Sequence, residues 1–270
     1  MANAAETIKT KRRPRLPRIS INRMIPNILT LLALASGLTA MRFAFQERWE
    51  LAVFAIAVAA IFDALDGRIA RLLKGVSKFG AELDSLSDFV CFGVAPAMIL
   101  FLWSLQEAGR GAWVLVMLYT MCMGLRLARF NVASEDEDAP EWKAHFFNGV
   151  PAPAGAGLVL FPMILSFLAG DEFFRSPWIV SGFLFCIGAM LVSAIPTYSF
   201  KNVAIPRQHF LVTMMTVALV IALFTSMPWL CLSTILMIYL AAIPLSIRSH
   251  RRYESGEEVD DVLDEDLDES

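Results

Sequence analysis

Long apolar runs broken by short clusters of charge organise this 270-residue chain. A membrane-spanning helix needs about 20 mainly apolar residues. By that length the pattern predicts eight, at 25–45, 50–70, 84–104, 111–131, 150–169, 177–196, 208–225 and 228–247. The third opens on aspartates and the fourth closes on Arg126 and Arg129, so these two are the least uniform. A membrane barrel would alternate apolar and polar side chains at every second position. The run Ile28-Leu-Thr-Leu-Leu-Ala-Leu-Ala does not. The predicted fold is an all-α integral membrane protein with about eight transmembrane helices.

Composition agrees with the pattern: 57% of residues are hydrophobic and the mean hydropathy is +0.57, above the usual range for a soluble domain. Charge divides the chain into three expected parts. Residues 1–23 form a basic cytoplasmic arm (Lys9, Lys11, Arg12, Arg13, Arg15, Arg18, Arg23) without the continuous apolar core of a cleavable signal. Residues 24–247 are the transmembrane body. Residues 248–270 are an acidic cytoplasmic tail, expected to be disordered because ten carboxylates from Glu254 to Glu269 repel one another. Short-loop charge sets orientation. Arg68, Arg71, Lys74 and Lys78 follow the second span, Arg126, Arg129 and Lys143 the fourth, and Lys201 and Arg207 the sixth. The opposite loops hold only Arg42, Arg48, Arg110 and Arg175. Both termini are therefore expected to face the cytoplasm, in the inner membrane. Cys91, Cys122, Cys186 and Cys231 lie singly in apolar runs and His145, His209 and His250 are scattered, so neither residue type has metal-site spacing.

The chemistry is concentrated between Asp63 and Asp88. Asp63 and Asp66 are three apart and Asp84 and Asp88 four apart, spacings that place each pair on one helix face. Two such helices joined by a short polar turn bring four carboxylates together at the membrane edge. At about 4 Å, like charges repel by roughly 4 kcal/mol per pair at an effective dielectric of 20. The cluster therefore calls for a cation, a proton or separation, and Mg²⁺ or Mn²⁺ suits an all-oxygen site. Glu82, in the same block, reads more simply as a solvated helix-end charge. Gly67 and Gly80 suggest close approach of backbone to something, and Arg71 offers a planar fork for phosphate oxygens. Together these residues point to a metal-bridged diphosphate.

The full pattern, Asp63-x2-Asp66-Gly67-x2-Ala70-Arg71-x8-Gly80-x3-Asp84-x3-Asp88, resembles the signature of the CDP-alcohol phosphatidyltransferases at every fixed position. These enzymes displace CMP from a CDP-linked lipid with an alcohol. The resemblance implies a six-helix core plus two C-terminal helices, a dinuclear metal site and a homodimer. It further implies that Asp63, Asp66 and Asp84 are metal ligands, and that Asp88 completes the metal site and acts as general base. Gly67 would leave room for the cytidine and Arg71 would hold the diphosphate or the acceptor side, with Ala70 and Gly80 on the same CDP-lipid surface.

Four further segments, around Ile25-Pro26-Asn27, Asp88–Ala97, Gly124–Asn131 and Phe147–Ala154, look like the membrane-spanning phosphatidylserine synthases, a branch of that family. CDP-diacylglycerol and L-serine are then the expected substrates, with no nucleic-acid partner. Arg126 and Arg129, three apart, could hold the serine carboxylate on one helix face, aided by Asn131; their alternative role is cytoplasmic anchoring. Asn27 and Thr30 could contact the nucleotide or cap the first span. Gly149, Pro151 and Pro153 mark a broken helix start. Acceptors of the glycerol 3-phosphate, choline or inositol type are the rivals within the family, and a cation transporter using the aspartates is the rival outside it.

Overall fold

The computed structural model describes residues 21–73, 75, 77–134, 146–148, 150–193, 196–198, 214–215, 218 and 222–255. The arm through residue 20, the tail from residue 256, Lys74 and Gly149 lie outside the described residues. Most of the expected seventh span, 208–225, also lies outside them; the part that is described is helical.

The chain runs α1 (Ile21–Phe45), α2 (Trp49–Leu72) and α3 (Lys78–Asp88), and α3 continues through two wide π-helical turns and α4 (Ala95–Leu100) to Leu105. Then come α5 (Arg110–Ser134), α6 (Ala152–Val159), α7 (Phe161–Ala169), α8 (Asp171–Phe174), α9 (Pro177–Val192) and α10 (Pro228–Ser255). One departure from all-α is a short antiparallel ribbon, β1 (Phe146–Asn148) with β2 (Pro196–Tyr198), in the register Phe146↔Tyr198 and Asn148↔Pro196. Pro196 opens its strand, the position where a residue without an N–H is tolerated. The ribbon joins the segments entering α6 and leaving α9.

The chain is a multi-pass membrane protein, but the count of eight spans is not reproduced. Among the described residues three helices are long and apolar enough to cross a membrane: Met24–Phe45, Lys78–Leu105 and Arg110–Val132. A fourth results if α6 and α7, bent by 43° with respect to each other, are one broken span. The bend falls at Leu160, next to Pro162, whose ring cannot continue a helical hydrogen-bond ladder. α2 is long enough but carries Asp63, Asp66, Arg68 and Arg71 in its second half. α9, at 16 residues, covers about 24 Å, short of the roughly 30 Å hydrocarbon layer. α10 continues to Ser255, eight residues beyond 247, where the sequence pattern ends the membrane body.

The core is built of small and aliphatic side chains. α1 buries Ala33, Ala40 and Ala44 and α2 buries Ala52, Ala55 and Ala59. Such small residues let helix backbones approach closely where lipid supplies no hydrophobic drive. Polar contacts then fix α1 against the third span: Ser87 Oγ donates to Thr30 O (3.2 Å) and Cys91 Sγ to Ala33 O (3.2 Å). The wide turn Phe89–Val94 follows Asp88 directly, and such turns recur beside functional sites. Pro96, just beyond it, offers no N–H to the preceding turn. There the carbonyl of Phe92 accepts a hydrogen bond from the buried Tyr119 hydroxyl of α5 (3.0 Å).

Removing that donor tests the account. Tyr119→Phe keeps the ring but leaves a buried carbonyl unsatisfied. Unfolding in detergent should show a loss of about 1–3 kcal/mol, with the larger effect absent from Thr120→Val, whose hydroxyl bonds only within its own helix.

Candidate active site

α2 ends in the Asp63–Arg71 segment and α3 begins at Lys78, five residues after Leu73, so the two acidic pairs lie on either side of one turn. The turn is fixed by Ser77, whose hydroxyl accepts from Gly80 N (3.1 Å) and caps α3. Three carboxylates converge: Asp63, Asp66 and Asp84 each offer an oxygen, and the three oxygens lie within 4.8 Å of one another. Asp88 stands one helical turn beyond Asp84 and joins the group through a hydrogen bond between its carboxyl and that of Asp63. The four aspartates thus form a trio with one attached member rather than an equivalent square.

Each carboxylate is held differently. Asp66 is 4% exposed and accepts at Oδ2 from Thr30 Oγ1 of α1 (2.6 Å). Asp84 Oδ1 is buried and has no hydrogen-bond partner. A buried, unpartnered carboxylate oxygen is costly in a protein interior, and here it belongs to the cluster that offers a cation all-oxygen ligands. The donor set therefore fits a hard divalent ion. Among the described residues, Arg126 is a cation close enough to act electrostatically on both Asp63 and Asp88.

The two glycines of the motif do separate things. A Cβ on Gly67 would meet nothing within 4 Å, so open space adjoins α2 beside Asp66. A Cβ on Gly80 would come within 2.9 Å of Asn27 Oδ1 and 3.1 Å of Ser77 Oγ, so this glycine admits Asn27 of α1 to the start of α3. Ala70 lies one turn after Asp66 and is half-buried. Arg71 is exposed and its Nε donates to Gly67 O (3.1 Å), one turn back.

The residues expected to hold the acceptor divide. Arg126 is half-buried; its Nε donates to Val150 O (2.6 Å), which fixes its guanidinium within electrostatic reach of Asp88. Arg129 is exposed and donates from both terminal nitrogens to the end of α9, to Val192 O (2.9 Å) and Ser193 O (3.2 Å). That is the contact expected of a cation at a helix C-terminus. Asn131 Nδ2 donates to Ser85 Oγ (2.9 Å) and ties α5 to α3. Thr30 supports a carboxylate directly, a role its sequence position next to Asn27 did not distinguish from capping. Ser77 and Ser85, both hydroxyls inside the acidic block, were legible only as neighbours of the motif.

Comparison with known proteins places the chain. The family model described as CDP-alcohol phosphatidyltransferase matches residues 23–247. A protein of Mycobacterium tuberculosis named CDP-diacylglycerol--serine O-phosphatidyltransferase is 38% identical over 228 residues, 84% of this chain and 79% of its own. Its namesake in Mycobacterium leprae is 38% identical over 239 residues, 88% of this chain and 79% of its own. One from Helicobacter pylori is 32% identical over 201 residues, 73% and 81% of the two chains. With a signature whose aspartates converge in space and a match running through nearly the whole membrane body, the chain belongs to the CDP-alcohol phosphatidyltransferase family.

Proposed function

We propose that the protein transfers the phosphatidyl group of CDP-diacylglycerol to the hydroxyl of L-serine, giving phosphatidylserine and CMP. The observation that carries the reading is the Asp63–Asp66–Asp84 trio with its unpartnered Asp84 oxygen, in a chain similar to several serine phosphatidyltransferases. A transporter site would be expected near the membrane midplane in broken helices, whereas α2 and α3 are unbroken across both aspartate pairs.

In this reading Asp63, Asp66 and Asp84 hold Mg²⁺ or Mn²⁺, with Asp88 completing a two-ion site. Bound there, the metal would neutralise charge on the diphosphate and the departing CMP. Thr30 keeps the Asp66 carboxylate oriented, as partners of metal ligands commonly do. The open space beside Gly67, with Asn27, Ala70, Arg71 and Gly80 around it, receives the CDP moiety. A serine hydroxyl is a weak nucleophile at neutral pH and needs a base within hydrogen-bond reach. Asp88 takes its proton as the oxygen attacks the β-phosphorus, and the bond to the CMP oxygen breaks. Of the two arginines, the contacts favour Arg126 for the serine carboxylate, because Arg129 is engaged at the end of α9. Asn131 acts through its bond to Ser85. Both termini and the site face the cytoplasm of the inner membrane, in keeping with the basic loops. The reading includes a homodimer, supported by the family resemblance alone.

The test of the reading is CMP release by the purified protein from CDP-diacylglycerol with serine, glycerol 3-phosphate, choline and inositol in turn. Serine should be used best; a preference for any other alcohol overturns the acceptor while leaving the aspartate site standing.

Activity should vanish in excess chelator and return with Mg²⁺ or Mn²⁺. Asp84→Asn should lower it by more than the roughly 10- to 100-fold typical of losing an outer partner of a metal ligand. Turnover undiminished by chelation would remove the metal from the reading.

For Asp88→Asn the expected signature is a kcat lower by about 10²–10⁴-fold, the usual worth of a general base, with CDP-lipid binding retained. If binding and turnover fall together, Asp88 is a ligand only.

The arginines should separate in serine kinetics. Arg126→Lys keeps charge but loses the fork, and the serine KM should rise about ten- to a hundredfold, the worth of a hydrogen bond to a charged group. Arg129→Lys should leave that KM nearly unchanged and lower thermal stability instead. Equal effects on KM would return both arginines to one acceptor role.

A further inference from the structure

The end of the bundle opposite the aspartates is hollowed. Two adjoining cavities, of about 470 and 490 Å³, share Glu47, Trp49 and Trp103 as a common wall. Both volumes are in the range of small-molecule sites. Trp49 opens α2 and Asp63 lies far along the same helix, which puts the cavities about 20 Å from the carboxylate trio. Their walls are tied together by protein contacts. Arg175 Nε donates to Trp103 O (2.9 Å) and Ser104 Oγ donates to Arg175 O (2.6 Å). The same guanidinium lies over the Trp103 ring, 6.0 Å from its centroid, and pairs with Asp171 (3.5 Å). Phe167, in the wall of the first cavity, packs against Trp229 of α10 with ring centroids 4.7 Å apart.

Arg175 and Asp171 satisfy each other. That leaves Glu47, Glu50 and Glu107 against Arg48 around the two cavities, and among the described residues none of these four is in an ion pair. Glu47 is kept there against backbone preference. It has φ +58° at the end of α1, its N–H donating to Ala44 O (3.0 Å) and that of Arg48 to Phe43 O (2.9 Å). This form of helix end ordinarily takes glycine, because left-handed backbone crowds a Cβ. An apolar path adjoins the charges. Leu51 lines the first cavity, and Leu51 and Phe54 are exposed and three apart on α2, so a stripe leads from the cavity along the outside of the helix.

A guest matched to these walls carries both signs of charge. A phosphate suits the Arg48 fork, and a primary ammonium, with three N–H donors, suits the carboxylates. A head with net negative charge would meet three carboxylates. A quaternary ammonium has no N–H to donate and depends on aromatic faces, but Trp103 is only 2% exposed and has Arg175 over its ring. The apolar stripe gives acyl chains a track. We propose that these cavities are a binding site for a phospholipid whose head joins a phosphate to a primary ammonium, held by Arg48 on one side and by Glu47 and Glu50 on the other. The site is separate from the aspartates and independent of which alcohol they serve.

The test offers full-length protein, stripped of lipid in detergent, an equimolar mixture of phosphatidylethanolamine, phosphatidylcholine and phosphatidylglycerol. Retained lipid is counted by native mass spectrometry. Phosphatidylethanolamine should be enriched about fivefold or more over each of the others, and Glu47→Gly should remove about fivefold of that preference, the upper worth of an exposed ion pair. The same variant relieves the left-handed backbone, so it should melt at or above the wild-type temperature. Glu50→Gln leaves the end of α1 untouched and should give a similar loss, which keeps the test decisive if Glu47→Gly folds poorly. Glu172→Gln, an exposed acid of α8 outside both cavities, should bind as wild type does. Glycerophosphoethanolamine, the same head without chains, should fail to displace the lipid. Equal retention of the three lipids, a preference for phosphatidylglycerol, wild-type preference in both Glu47→Gly and Glu50→Gln, an equal loss in Glu172→Gln, or displacement by the free head would each overturn the proposal.

Discussion

The crowding of carboxylates at the ends of two helices is the constraint on which the rest of the structure depends. Three aspartate oxygens within 4.8 Å of one another are a local repulsion of several kcal/mol for every pair left charged. The fold does not relieve it by spreading them apart. It holds them with Thr30 on Asp66, with Asp88 on Asp63, and with the Arg126 guanidinium nearby. It leaves Asp84 Oδ1 buried without a partner. A site arranged in this way is stable only with a proton or cation among its members, and binding and chemistry follow from that requirement.

Much of the surrounding packing serves to keep the two acidic helices in register. α1 is the brace: its small residues allow close contact, its Thr30 hydroxyl holds a carboxylate, and its Thr30 and Ala33 carbonyls accept from Ser87 and Cys91. Asn27 occupies the space that only a glycine at position 80 leaves open. A displacement of α1 would therefore disturb Asp66, the turn cap and the third span together. The contacts are short-range and polar within an apolar bundle, where a misplaced polar group has no water to fall back on.

A second polar layer is organised by arginine. Arg126 holds the entry to α6 and Arg129 the end of α9, and the β1–β2 ribbon links those same two segments. One arginine thereby stays within electrostatic reach of Asp88 and the other is spent on closing the end of α9. Neighbouring residues of the same type on one helix face can thus have different fates, set by which backbone each one meets.

The sequence by itself determined the membrane environment, the helical class and the four aspartates, because hydropathy and the i, i+3 and i, i+4 spacings are local properties of one helix or of two joined by a short turn. It also made the family resemblance legible, since the signature is contiguous. Tertiary structure alone decided the rest. Among the described residues fewer helices qualify as full spans than the sequence pattern predicts, because α2 carries charges in its second half, α9 is short and α6–α7 breaks at Leu160. Arg126 and Arg129 looked equivalent until their partners 24 and 63 residues away separated them. Thr30 and Asp66 are 36 residues apart. Such pairings depend on how helices pack across the bundle, and no spacing within one segment encodes them.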